Sequence, residues 1–155
     1  MKIKWKPFLI ALAIPLAVGG LAALLSGGMD TYKTLNQPPL SPPGWVFPIV
    51  WSILYLLMGY ASYRIYVLEV DREDKRKALV FYGIQLFLNF LWPLVFFGLQ
   101  WYWAAFVVLL ILWVMIYLTM HLFGNLDEIA EDLLIPYLLW VTFAGYLNLG
   151  VALLN

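Results

Sequence analysis

Three stretches of the chain carry aromatic and amide side chains at helical spacing. Trp51, Tyr55, Gly59 and Ser62 form one set, Gln85, Asn89, Trp92 and Phe96 a second, and Tyr137, Trp140, Ala144 and Asn148 a third. Residues three or four apart share a helix face, so each set is a stripe. Each stripe sits in a segment without charged residues, and an amide at membrane depth is costly unless paired, so the stripes should turn inward. Two arrangements would satisfy them. Gln85, Asn89 and Asn148 could be hydrogen-bonded glue between helices. Alternatively, three stripes together could wall a flat, mostly apolar cavity with a few orienting donors, which is how small-molecule sites are built.

Reactive side chains are otherwise scarce. His121 is the single histidine and no cysteine is present. With no second histidine or carboxylate cluster beside it, a surface or hydrogen-bonded role for His121 is expected, and no metal site. The chain has no Ser-His-Asp arrangement, no glycine loop for phosphate and no carboxylate inside an apolar run. Arg64 stands at the end of such a run, where snorkelling to the interface would account for it. The run Asp71 to Lys77 reads as a solvated loop, and Asp127, Glu128, Glu131 and Asp132 as an acidic helix start favoured by the helix dipole.

The composition says what must position these residues. The chain has 155 residues, 65% of them hydrophobic and 12% charged, and a mean hydropathy of +0.88. A soluble domain of this size could not bury so much apolar surface, so the solvent is lipid. Nine basic residues balance nine acidic ones. A nucleic-acid partner, which needs a basic excess on one face, is therefore not expected.

Roughly 20 apolar residues in a helix cross the hydrocarbon of a bilayer. The charge-free runs give five spans, at about 7–27, 44–65, 78–98, 102–123 and 133–154, in a single domain covering 1–155. The second begins near Gly44 because Pro38, Pro39, Pro42 and Pro43 oppose helix before it. The 49 residues from Ala78 to Leu126 are too long for one crossing and break at Gly98-Leu99-Gln100. The fold class is thus an all-α membrane protein, a bundle of five transmembrane helices. Lys2, Lys4 and Lys6 ahead of an apolar run imitate a signal peptide, but the run is long and Trp5 is an interface anchor, so it is expected to stay as the first span. Eight of the nine basic residues fall on one side of this topology. The positive-inside rule then places the N-terminus in the cytoplasm and the C-terminus outside. The fourth span lacks a stripe and is expected to face lipid. Trp101, Tyr102 and Trp103 at its start read as belt residues. Ala13, Ala17, Gly19 and Ala23 in the first span would allow close packing with a second copy or within the bundle.

The loop at 28–43 is longer than most connections, and such loops are often lids. Its prolines restrict it, which suits either a stiff spacer or a cover. As a cover, with Pro42 and Pro43 stiffening it, Lys33 could meet a ligand carboxylate while Tyr32 lies over an apolar ring.

Several segments resemble a known family. Ser41-Pro-Pro-Gly-Trp-Val-Phe-Pro-Ile-Val-Trp51 with Leu54-Tyr55 and Met58-Gly59, then Asn89-Phe-Leu-Trp92, then Trp140-Val-Thr-Phe-Ala-Gly-Tyr-Leu-Asn148 stand in the order found in the TspO/MBR family, whose members include translocator proteins, tryptophan-rich sensory proteins and the peripheral-type benzodiazepine receptor. The chain is similar to its bacterial members. The resemblance implies a five-helix bundle, usually a homodimer, with a pocket beneath the first loop for porphyrins and benzodiazepine- or isoquinoline-type drugs. By motif, Trp51, Asn89, Trp140, Ala144, Leu147 and Asn148 would line it. Bacterial members are associated with light-dependent breakdown of protoporphyrin IX, and Trp51 and Trp140 match the tryptophans implicated. The cholesterol pattern of animal members, a Tyr followed shortly by Lys or Arg, is missing after Tyr146, so cholesterol is not expected as a partner.

The combined expectation is a multi-pass protein of the plasma membrane that binds tetrapyrroles under the loop. Trp51, Trp140, Phe90 and Tyr32 would give aromatic contact, with Tyr55 and Trp92 on the same stripes, and Gln85, Asn89 and Asn148 would orient the ligand. The pigment would absorb the light itself, so no cofactor is required, and whether the outcome counts as enzymatic turnover is open. The alternatives are a transporter or exporter of tetrapyrroles and similar lipophilic compounds, or a regulatory membrane protein whose ligand occupancy a partner reads.

Overall fold

The computed structural model describes residues 2–27 and 30–155. Residues 28 and 29, the start of the expected lid, lie outside the described residues. The elements are all helical: α1 Trp5–Ser26, α2 Asp30–Thr34, α3 Val46–Tyr66, α4 Arg72–Pro93, a π-helical turn Leu94–Gly98, α5 Tyr102–Gly124, α6 Glu128–Leu133 and α7 Ile135–Leu154. Five segments are long and apolar enough to cross a membrane: α1, α3, α4 with the π-turn, α5, and α6 with α7. In lipid the backbone must satisfy itself, and helices do so within one segment.

Around the bundle, α1 packs on α3 and α4, and α5 packs on α4 and α7. The backbone N–H of Lys4, just before α1, donates to the Tyr63 hydroxyl near the end of α3 (2.8 Å). The N-terminus, the α3–α4 linker and the α5–α6 junction therefore share one end of the molecule, and the proline loop lies at the other.

The structure corrects some expectations and sharpens others. The run Asp71 to Lys77 is not a loop. Asp71 caps α4 by accepting from the Glu73 N–H (3.0 Å), and Glu73 and Asp74 occupy the first turn, where negative charge suits the dipole. These side chains stay largely exposed, so the segment looks loop-like by charge alone. The acidic cluster does start a helix, with Glu128 and Glu131 in its first turn, at the head of the segment that α6 and α7 form. Glu128, Glu131 and Asp132 build the separate helix α6. Arg64, at the end of α3, is paired: its Nε donates to Asp127 Oδ2 (2.6 Å) and its Nη1 to the Tyr60 hydroxyl (3.2 Å). Asp127 thus neutralises one member of the basic side, as its charge suggests. Finally, α5 is not simply lipid-facing. Ala105, Leu109, Leu112, Ile116, Thr119 and Phe123 make a buried face, while Val107, Leu110, Ile111 and Val114 are exposed. Both faces are apolar, so composition could not tell them apart.

The hairpin turn falls where expected, after Gly98, with Gln100 in the left-handed region (φ 57°). Pro93 accounts for the π-turn before it. Lacking an N–H, it cannot continue the ladder to the carbonyl four residues back, and the next turn widens so that Leu99 N–H donates to Leu94 O (2.9 Å). Such wide turns are frequent at functional sites.

Candidate functional site

A cavity of about 310 Å3 lies between α1, α3 and α4 towards the loop end. Leu16, Gly19, Gly20, Ala23 and Ser26 form its α1 wall. Phe47, Pro48, Trp51, Ser52 and Tyr55 form the α3 wall, and Asn89, Trp92, Pro93 and Phe97 the third. Trp51 stacks on Tyr55 with centroids 5.6 Å apart and planes at 27°. The hydroxyl end of the Tyr55 ring in turn packs on α1, where a Cβ on Gly19 would collide with it. Next to Gly19, a Cβ on Gly20 would meet nothing within 4 Å.

The floor of the cavity is a chain of hydrogen bonds. The Tyr55 hydroxyl donates to Asn89 Oδ1 (3.1 Å), Asn89 Nδ2 donates to the Tyr137 hydroxyl (2.7 Å), and that hydroxyl donates to Gln85 Oε1 (2.6 Å). Asn89 and Gln85 are buried at 2% and 1% exposure. The amides of α4 are therefore glue, the first of the two arrangements considered, while Asn89 also forms part of the cavity wall. Both arrangements hold at this one residue. Gln85 lies below the cavity and lines none of its wall.

Under the proline loop a second, smaller cavity of about 20 Å3 touches Tyr32, Ser41, Ala144, Leu147, Asn148 and Val151. Asn148 holds this region together. Its Oδ1 accepts from Trp92 Nε1 (2.9 Å) and its Nδ2 donates to Tyr102 O (2.9 Å). Tyr102 is thus half-buried structure, whereas Trp5, Trp101 and Trp103 are 55–63% exposed, as belt residues are. Tyr32 is buried and its hydroxyl donates to Pro42 O (2.7 Å). Removal from water raises its pKa, which keeps the phenol neutral and donating.

The loop is tied to α7. Tyr146 donates to Pro39 O, Asn155 Nδ2 to Asn36 O (2.9 Å), and Pro38 seats directly on Gly150. Pro42 is half-buried, Pro43 is exposed, and Lys33 is exposed on the loop surface. The loop therefore covers the small cavity, while the main one is walled by α1.

The remaining expected residues lie elsewhere. Trp140 does not line the main cavity. With Val50, Ile53, Leu54, Leu57 and Phe143 it lines an outer groove between α3 and α7, and it touches the cavity wall at Phe47 (centroids 5.8 Å). Its indole N–H is buried without a hydrogen-bond partner. Phe90 is half-buried and lines neither cavity. The α1 wall and Phe47, Pro48, Ser52, Pro93 and Phe97 were not foreseen. Phe47 and Pro48 lie within the first motif and could have been found there, while α1 carries no polar or aromatic stripe to mark it.

Among the described residues no acidic or basic side chain lines either cavity or the groove. Among the described residues no group of three or more His, Cys, Asp or Glu could hold a metal ion, and His121 is exposed, in edge contact with Tyr117 (4.6 Å). Such a site offers ring contact and a few hydrogen bonds.

Comparison with known proteins agrees with the architecture and the motifs. The model of the TspO/MBR family matches residues 11–154. The tryptophan-rich sensory protein of Cereibacter sphaeroides is 40% identical over 155 residues, covering 100% of this chain and 95% of its own. The tryptophan-rich protein TspO of Chlorobaculum tepidum is 41% identical over 124 residues, 80% of this chain and 78% of its own. The translocator protein of Bos taurus is 36% identical over 148 residues, 93% of this chain and 87% of its own. With five apolar helices, the three motif segments in place and a family match over nearly its whole length, this chain is a membrane protein belonging to the TspO/MBR family.

Proposed function

We propose that the protein binds protoporphyrin IX and similar planar lipophilic molecules, including benzodiazepine- and isoquinoline-type drugs, and promotes light-dependent oxidative degradation of the porphyrin. The observation that carries this reading is the aromatic cavity between α1, α3 and α4, with Trp51 stacked on Tyr55 and Asn89 beside them. Its volume falls at the lower end of the range of roughly 300–1,000 Å3 typical of ligand sites. Its walls match a flat apolar ring system, and a porphyrin's propionates would stay at the rim, near water. Light absorption belongs to the bound pigment, so the protein needs only to hold it and to offer oxidisable side chains. Trp51 lies in the cavity wall, and Trp140 follows behind Phe47.

The test is a titration with protoporphyrin IX in the dark, following tryptophan fluorescence. Saturable quenching is expected, and its absence would end the reading. Under illumination, Trp51→Phe should bind normally and degrade pigment more slowly, and Trp140→Phe should show a smaller deficit. Wild-type rates in both variants would remove the tryptophans from the chemistry.

Transport is the second reading, supported by the name translocator protein borne by relatives such as that of Bos taurus. Porphyrin flux into sealed vesicles that carry the protein would favour it. We further propose that the protein sits in the plasma membrane as a homodimer, with the end that carries eight of the nine basic residues in the cytoplasm.

A further inference from the structure

Phe47, Trp92 and Phe97 line both the main cavity and the small one under the loop. They are the partition between the two. One side holds about 310 Å3, and the other about 20 Å3, little more than a single water needs.

The three rings are not held alike. Trp92 is buried, anchored by its N–H to Asn148 Oδ1 (2.9 Å) and stacked on Phe96 (5.0 Å, 28°). Phe47 is wedged edge-on between Tyr32 (5.0 Å) and Trp140 (5.8 Å). Phe97 is half-buried and its ring contacts are with near neighbours in sequence, Phe96 (4.7 Å) and Trp92 (5.9 Å). It stands on the π-turn and meets Trp92 edge-on, with the planes at 82°. The next residue, Gly98, has room above it: a Cβ there would have only Ser26 Cα nearby, at 3.8 Å. Phe47 is pinned by rings from α2 and α7 and Trp92 by a hydrogen bond to α7, whereas Phe97 meets only rings of its own helical segment among the ring contacts described, which makes it the ring best placed to swing.

We propose that Phe97 selects ligands by size. Its ring closes the main cavity against the space under the loop, and a planar ligand too wide for the main cavity binds by turning that ring aside and joining the two. A narrow ligand occupies the main cavity with Phe97 in place. This rests on the reading of the cavity as a site for planar lipophilic molecules. Where only a fraction of molecules has the ring turned aside, the apparent affinity for wide ligands falls by that fraction, and removing the ring restores it.

Three planar carboxylates of increasing width test the idea: 1-naphthoate, 1-pyrenecarboxylate and protoporphyrin IX. Each is titrated in the dark against the full chain in nanodiscs, as wild type, Phe97→Ala and Phe97→Trp, with thermal unfolding as a check on folding and Phe97→Leu as the milder variant. With about a tenth of wild-type molecules open, Phe97→Ala should tighten the two wide ligands about tenfold and leave 1-naphthoate within about twofold. Phe97→Leu should fall between, and Phe97→Trp should weaken the wide ligands selectively. Equal changes for all three ligands, or wild-type affinities throughout, would overturn the role of Phe97. If 1-pyrenecarboxylate follows the pattern while protoporphyrin IX binds none of the proteins, the size gate stands and the porphyrin reading falls. If protoporphyrin IX binds all of them equally, the reverse holds.

Discussion

The seam between α1 and α3 is closed at one end and open at the other. Near the end with most of the charged residues, Gly59 brings the two backbones together: a Cβ there would lie 2.7 Å from Ala11 O and 3.0 Å from Leu12 Cα. One turn beyond, Arg64 is clamped by Asp127 and Tyr60. Towards the loop end the same helices part around the cavity, and Gly20 faces empty space. Between the two ends, Gly19 receives the Tyr55 ring. The bundle is thus rigid below and hollow above, with the Tyr55–Asn89–Tyr137–Gln85 chain as the boundary. A site that must accept a bulky guest needs space beside a fixed frame, and this division provides both.

The largest expected effect comes from breaking the closed end. Gly59→Leu sets a side chain against backbone that cannot yield, and it should destabilise by about 3 kcal/mol, at the upper end for overpacking, read as a lower unfolding temperature in detergent. A wild-type unfolding temperature would mean that the helices can part there as well. Next is the boundary. Asn89→Leu takes the acceptor from the Tyr55 hydroxyl and a donor from the Tyr137 hydroxyl, which keeps Gln85, and should cost about 2 kcal/mol, whereas Tyr55→Phe, which removes one bond at the rim of the chain, should cost less. Equal losses would show that the chain is not a connected unit.

At the open end the same kind of change should behave differently. Gly20→Leu should leave stability within about 1 kcal/mol, since the helix gains propensity and nothing is struck. It should nevertheless weaken protoporphyrin IX binding about tenfold by filling the cavity, a loss of about 1.4 kcal/mol. Unchanged binding would mean that the ligand does not use the α1 wall. The smallest effect concerns the loop. Tyr32 has a raised pKa, so its bond to Pro42 is fully present below the ordinary tyrosine value of about 10 and is lost as pH climbs past the higher folded value. Hydrogen exchange of residues 32–43 should accelerate in that alkaline range beyond the intrinsic pH trend, and in Tyr32→Phe that extra acceleration should vanish. The Tyr32→Phe change itself should cost about 0.5–1 kcal/mol.

Much of this arrangement could be read from residue types and order. Long runs without charge can only be helices in lipid, so the number of spans and the hairpin at Gly98 followed directly. The stripes on α3, α4 and α7 identified Trp51, Tyr55, Asn89, Trp92 and Asn148 as inward-facing, because polar and aromatic groups in hydrocarbon must find partners. Charge alone misjudged 71–77, since an exposed helical turn and a solvated loop have the same composition. Nor could it pair Arg64 with Asp127, which is 63 residues away.

Membership of one stripe did not settle which cavity a residue lines. Trp140 lies four residues from Ala144, yet it faces the outer groove while Ala144 faces the space under the loop. The three glycines at positions 19, 20 and 59 are alike as letters, and one meets a ring, one open space and one a backbone. The sequence by itself determined that the chain lives in a membrane, crosses it five times and gathers aromatics and amides inward, because solvent and hydrogen-bonding demand act on each segment alone. Only the tertiary structure decided where the bundle closes and where it stays hollow, because a cavity is what neighbouring helices fail to fill, and that depends on the angle and depth at which distant segments meet.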